Sequence, residues 1–389
     1  MRSVYPVIAA VLAMTGVELW QWQHADAVAG QRLQVEKTKV EFAALEGWEK
    51  DDHRTAFATF RKSCARVLSG EKDKDAETTA GLAGICKIAV LLPAKLSAQD
   101  AKLFFEQNFD PHLIKRPQTG AMLTGYYEPE VKGSLKPTAH FSTPLYAKPD
   151  DLVLMTRVAS RDATLPADLT AGRMSPQGLV PYYTRQEIEQ GVLNGRGLEI
   201  AYLSTPYEAF VMQIQGSGMI RLPDGKGIRV GFAGKNGHPY TSVGKLLIDR
   251  GEMQAHAASM DAIINWMRVN LQRGKELMWE NKSYPFFRVL STSEALEGPQ
   301  GAMQLALAPG RSLAVDPRYH DLGAPIWVAA PTLKDLQGKP LARLLVAQDT
   351  GSAIKGPVRG DIFWGSGDAA GKIAGVTKEV CDFYVLMPK

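Results

Sequence analysis

Three aspartates, Asp316, Asp349 and Asp361, stand where apolar runs meet turn residues. A carboxyl group so placed is suited to giving and taking a proton. Asp349 follows Leu344-Leu345-Val346-Ala347 and leads into Thr350-Gly351-Ser352. Asp361 comes twelve positions later, directly before Ile362-Phe363-Trp364, with Gly365 and Gly367 beyond. Junctions of this kind are where rigid scaffolds present reactive groups. An apolar wall of Ile362, Phe363 and Trp364 disfavours the ionised carboxylate, so Asp361 is expected to keep its proton to higher pH than usual. Cleavage of a glycosidic bond asks this of its acid. Asp349 is the candidate second carboxylate. Asp316, between Val315 and Pro317, reads first as a turn residue bonded to backbone, although three strand-end aspartates can also converge at one mouth.

Other chemistries find less support. The seven histidines are scattered, without ligand spacing to a third partner, so neither a metal nor another cofactor is expected. Gly216-Ser217-Gly218 offers a serine, but nothing places a histidine beside it. The segment from Phe210 to Gly218 reads as a half-buried strand with Gln213 and Gln215 on one face. Two amides so placed suit sugar hydroxyls, or else make an ordinary exposed polar face.

The chain has 389 residues, enough for two or three domains, with 45% hydrophobic and 22% charged residues. A net charge of +4, without basic tracts, argues against nucleic-acid binding. Arg2 precedes an apolar run from Val4 to Val17, followed by Ala25-Asp26-Ala27. That run is shorter than the ~20 residues a spanning helix needs, and it reads as an export signal over 1–27, or as an anchor associating this end with a membrane. No cysteine near this end is available for lipidation. In an oxidising compartment Cys64 and Cys86 would pair and leave Cys381 single; otherwise both are small buried apolar residues.

The elements that must position these groups change along the chain. Residues 28–120 read as helices, with Asp51-Asp52 and Ser97 as caps. Residues 121–240 read as a β domain that includes Met122–Tyr127 and a hairpin turning at Pro223-Asp224-Gly225. Residues 241–285 return to helix, the best candidate running from Ser259 to Gln272. Residues 286–389 read as six short strands closing a small barrel, including 302–307 and no helix.

These residues carry a resemblance. Leu123-Thr124-Gly125-Tyr126-Tyr127-Glu128-Pro129, Gln213-Ile214-Gln215-Gly216-Ser217-Gly218, Tyr284-Pro285-Phe286-Phe287 and the stretch from Asp349 to Gly371 resemble the membrane-bound lytic murein transglycosylase A family. The C-terminal part resembles its three-aspartate domain. The resemblance implies a mainly β protein, with a double-psi β-barrel and a second barrel-like domain enclosing a glycan groove. It implies cleavage of the β-1,4 bond between N-acetylmuramic acid and N-acetylglucosamine, leaving a 1,6-anhydro end. The family's catalytic aspartate falls on Asp361, with Asp349 supporting. Thr124, Tyr126, Gln213, Gln215, Gly216, Ser217, Lys355 and Asp316 are the implied groove residues. The implied partners are peptidoglycan strands, with murein synthases or other wall enzymes beside them, in the periplasm or at the outer membrane. A two-carboxylate hydrolase and a non-catalytic wall-binding protein are the rival readings.

Overall fold

The computed structural model describes residues 33–69, 80–118, 120–155, 165–176, 178–334 and 340–389. The expected leader over 1–27 lies outside them. No helix among the described residues is long and apolar enough to cross a membrane. The fold is mixed α/β and built on three sheets.

The largest sheet has nine strands, in the order Lys37–Lys39, Phe109–Ile114, Asp382–Pro388, Pro325–Lys334, Pro340–Thr350, Ser312–Val315, Arg359–Ser366, Met122–Glu128 and Lys378–Glu379. The C-terminal region thus supplies most of the sheet. Its eighth strand, however, comes from the segment that the sequence assigns to the preceding β domain. Met122–Glu128 runs parallel to Arg359–Ser366 and antiparallel to Lys378–Glu379. Gly125 makes this packing work. A Cβ there would lie 2.6 Å from Trp364 Nε1 and 2.9 Å from Ala374 Cα.

The N-terminal helices cover one side of this sheet. His53–Leu68 starts at Asp52, whose side chain accepts from the Thr55 amide, and Ala98–Asn108 starts at Ser97 in the same way through Asp100. Phe57, Phe60, Phe104, Phe105 and Phe109 form one buried aromatic cluster with Trp48 and Trp327. Burying each ring contributes roughly 1.5–3 kcal/mol. Cys64 and Cys86 are joined as a disulfide between His53–Leu68 and Ala80–Leu91, and Cys381 is a buried free thiol.

The second sheet has six strands, in the order Pro285–Val289, Gly227–Lys235, Ser217–Arg221, Glu130–Ser134, Glu199–Leu203 and Thr143–Tyr146. A parallel bridge from Ala147 to Phe287 brings its two edges together. Helices Val243–Asp249, Met260–Val269 and Leu271–Glu280 pack through Leu247, Ile263, Ile264, Met267 and Leu277 onto Tyr207 and Phe210.

Several expectations fail here. The segment from Phe210 to Gly218 is not a strand. Pro206–Gln215 is a helix opened by a Thr205–Glu208 capping box with Pro206 in its first turn, and closed by Gly216 at φ 78°. Its apolar run satisfies either periodicity, and the caps decide. The helix expected over Ser259–Gln272 is two, broken at Asn270. Six C-terminal strands do not form a barrel by themselves. Phe287 belongs to the six-stranded sheet, the segment around 302–307 is a turn, and the helix Gly367–Val376 follows Asp361's strand.

Candidate active site

Strand register assembles the site. Ser312–Val315 lies between the strands of the two candidate carboxylates, parallel to Pro340–Thr350 and antiparallel to Arg359–Ser366. Ala314 pairs with Asp349 on one side and with Asp361 on the other. Asp361 in turn pairs with Thr124, and Thr124 with Lys378. One row across the sheet therefore reads Asp349, Ala314, Asp361, Thr124, Lys378. A bulge sets it, because Leu313 pairs with Ala347 but Ala314 with Asp349, which leaves Gln348 as the extra residue. Bulges re-aim side chains in this way. Gln348 is fully buried and donates to Ser63 Oγ at 2.8 Å, anchoring the bulge to the N-terminal helices.

The two carboxyl groups have different environments. Asp349 spends both oxygens. Oδ2 accepts from the Tyr126 hydroxyl at 2.8 Å, and Oδ1 accepts from the Ala302 and Thr350 amides at 2.9 Å each. Burial pushes its pKa up, against those three donors. Asp361 accepts one hydrogen bond, at Oδ1 from Thr124 Oγ1 at 2.6 Å, and its Oδ2 is without a hydrogen-bond partner among the described residues. Burial raises the Asp361 pKa to about 6, and the charge of Asp349 adds to this, while Arg359 and the Thr124 hydroxyl pull the other way. Phe363 supplies the apolar wall. Two residues on from Asp361, it shares that face of the strand, and its ring sits 5.3 Å from the Tyr126 ring in a cluster with Leu307, Ala314 and Ile354. Burial also raises the Tyr126 pKa well above its ordinary value, with Asp349 adding to it, so this hydroxyl stays a donor.

Other expected residues lie elsewhere. Ile362 and Trp364 alternate to the opposite face, where the indole donates to Thr377 Oγ1 at 3.0 Å. The screen expected from both rings is therefore the phenyl alone. Gln213 and Gln215 do not share a strand face. Gln213 is buried and accepts from Arg185 at 2.5 Å, and Gln215 Oε1 accepts from the Tyr127 amide at 3.0 Å, supporting the Thr124–Tyr126 strand from behind. Gly216 ends that helix, and Ser217, also buried, starts the next strand. Asp316 is fully buried and accepts from the Gly356 amide at 2.8 Å and from the Arg318 guanidinium at 2.6 Å. Burial alone would raise its pKa, but those donors outweigh it and hold it low. It fixes the loop carrying Lys355, which is exposed. Across from that loop Lys235, on the six-stranded sheet, donates to Ser352 Oγ at 3.1 Å.

The spacing of residues did not reveal Ala314, Arg359 or Glu128. Glu128 is fully buried where the chain crosses from one sheet to the other. It pairs with Arg229 of the six-stranded sheet at 2.8 Å and accepts from Ser366 Oγ at 2.6 Å. A strand-end carboxylate before Pro129 was its only sequence signal.

Fold and site define a mixed α/β protein with one under-coordinated, proton-retaining aspartate beside a fully coordinated one. Residues 122–288 match the MltA specific insert domain, and residues 311–387 match the 3D domain. The structure resembles the membrane-bound lytic murein transglycosylase from Agrobacterium tumefaciens, at 35% identity and TM-score 0.83, over 91% of this chain and 98% of that one. It also resembles MltA from Neisseria gonorrhoeae, at 35% identity and TM-score 0.73, over 92% and 97%. Among curated relatives, the membrane-bound lytic murein transglycosylase A of Vibrio cholerae is 32% identical over 263 residues, 66% of this chain and 63% of that protein. The chain thus spans less than two thirds of that relative's length. It belongs to the membrane-bound lytic murein transglycosylase A family.

Proposed function

We propose that this protein is a lytic transglycosylase that cleaves peptidoglycan strands between N-acetylmuramic acid and N-acetylglucosamine, with Asp361 as acid and then as base. The observation that carries this is the contrast between the carboxylates. Asp361 keeps one oxygen open and its proton up to about pH 6, whereas every oxygen of Asp349 is committed. A hydrolase with two working carboxylates needs its second one free to activate water or attack the sugar. Asp349 has no such freedom. One carboxyl suffices when no water is used. Asp361 protonates the glycosidic oxygen, and as the bond breaks its carboxylate takes the proton from the muramic C6 hydroxyl, which attacks C1 of its own ring. The 1,6-anhydro bond forms, the glycosidic bond breaks, and the proton returns to Asp361. The attack is intramolecular and gains from proximity.

Thr124 orients Asp361, and Tyr126 fixes Asp349 as the nearby negative charge that supports an oxocarbenium-like state. On this reading the nine-stranded sheet works as the double-psi barrel, its parallel pairings around Asp361 supporting that reading, and the six-stranded sheet forms the other groove wall. The protein acts in the cell envelope on the exported side, consistent with the membrane-bound relatives. The test is the solubilisation of purified sacculi. Asp361→Asn should lose about 10²–10⁴-fold in rate, the usual contribution of a positioned acid–base group. Unchanged solubilisation by that variant would remove Asp361 from the chemistry. Binding without turnover by both variant and parent would favour a wall-binding protein instead.

A further inference from the structure

A concavity of about 640 Å³ lies between the six-stranded sheet and the turn at 300–304, bordered by Ile200, Phe232, Val289, Lys148, Arg288 and Gln304. Neither Asp349 nor Asp361 lines it, yet both of its walls are tied to the Asp349 segment. The turn is held there by the Ala302 amide on Asp349 Oδ1 at 2.9 Å. The Phe232 strand is held by Lys235 Nζ on Ser352 Oγ at 3.1 Å.

The walls are unusual in four respects. Phe232 and Val289 are each 50% exposed, and the ladder slips between Phe232 and Gly234, a bulge of the kind found beside functional sites. Lys148 lays its stem where a Gly234 Cβ would stand, with its Cδ 2.9 Å from that point. Gln304 has φ 54°, the one positive φ outside glycine among the described residues, and such strain concentrates at functional positions. Lastly, Lys148 has no carboxylate at ion-pair distance among the described residues. Arg288, by contrast, is bound to Glu294 and Gln300.

An unpaired cation beside an exposed aromatic ring calls for an amphipathic anion. The glycan of the proposed substrate does not supply one where the muramic lactyl carboxyl is amidated, but the short acidic peptide attached there does. We propose that this concavity binds the carboxylate-bearing stem peptide of the strand being cut, with Lys148 taking its charge and Phe232 and Val289 its aliphatic part. This deepens the reading above and rests on it for the identity of the polymer.

The test uses the full chain, the parent and the double variant Lys148→Glu/Phe232→Ala, both positions being solvent-exposed. Titration with the sugar-free stem tetrapeptide should show saturable binding to the parent that weakens with added salt, and about tenfold weaker binding to the variant. Turnover should fall about tenfold on peptide-bearing sacculi, equivalent to about 1.4 kcal/mol, and stay at the parent rate on strands stripped of peptide. Absence of peptide binding by the parent, or equal loss on both polymers, would overturn the site. Peptide binding by a parent inactive on both polymers would still support the site while sinking the lyase reading.

Discussion

Replacing Asp361 with asparagine should make the protein more stable at alkaline pH and change it little at acid pH. In the folded chain the carboxyl holds its proton up to about pH 6, against an ordinary value of 3.8, because burial penalises its charged form. Between those values the folded protein binds more protons than the unfolded chain. Stability therefore falls as pH rises through this window, and the loss is complete above it. A difference of about 2 units at ~1.36 kcal/mol each is roughly 3 kcal/mol. Asparagine cannot ionise, can still accept from Thr124, and so escapes this cost. Guanidinium unfolding followed by circular dichroism at about pH 8 and about pH 4 measures it. The expected gain for Asp361→Asn is about 2–3 kcal/mol at the higher pH and close to zero at the lower. No gain at high pH, or the same gain at both, would refute the claim that burial holds this carboxyl protonated.

The same electrostatics predict a coupled pH dependence. Activity should fall as pH rises through about 6, and in Asp349→Asn that limb should move to lower pH, since removing a neighbouring negative charge eases ionisation of Asp361. A pH–rate profile of both proteins reads the direction. Gly125→Ala should destabilise by roughly 1–3 kcal/mol, because its methyl would press on Trp364 and on the backbone of Gly367–Val376; denaturant midpoints check it. Glu128→Gln should cost about 3–5 kcal/mol by stranding the Arg229 charge at the sheet crossover. Thermal unfolding of that variant should show the loss, and an unchanged midpoint would contradict it.

The candidate site was legible where chemistry is local. Asp361 before an apolar triplet marked a retained proton without any fold. The Trp364 error was avoidable, since strand alternation already puts 362 and 364 on the face away from 361. Residues 210–218 were misread because apolar content was weighed before caps, although Thr205, Pro206, Glu208 and Gly216 together spell a helix. What no single sequence carries is register. The bulge at Gln348, the seating of Ala314 between two aspartates, and the pairing of Thr124 with a residue 237 positions away are long-range facts that depend on which strands meet. The transfer of Met122–Glu128 into the C-terminal sheet belongs with them, as does the buried pair that Glu128 forms across the crossover.

The most direct test of a lone acid acting without water is mass spectrometry of the fragments released from purified murein by the parent protein. Muramic ends lacking the mass of one water, the 1,6-anhydro form, are the expected product. Reducing muramic ends, with ¹⁸O taken up from labelled water, would mean that a water molecule attacks C1 and that Asp361 does not act alone.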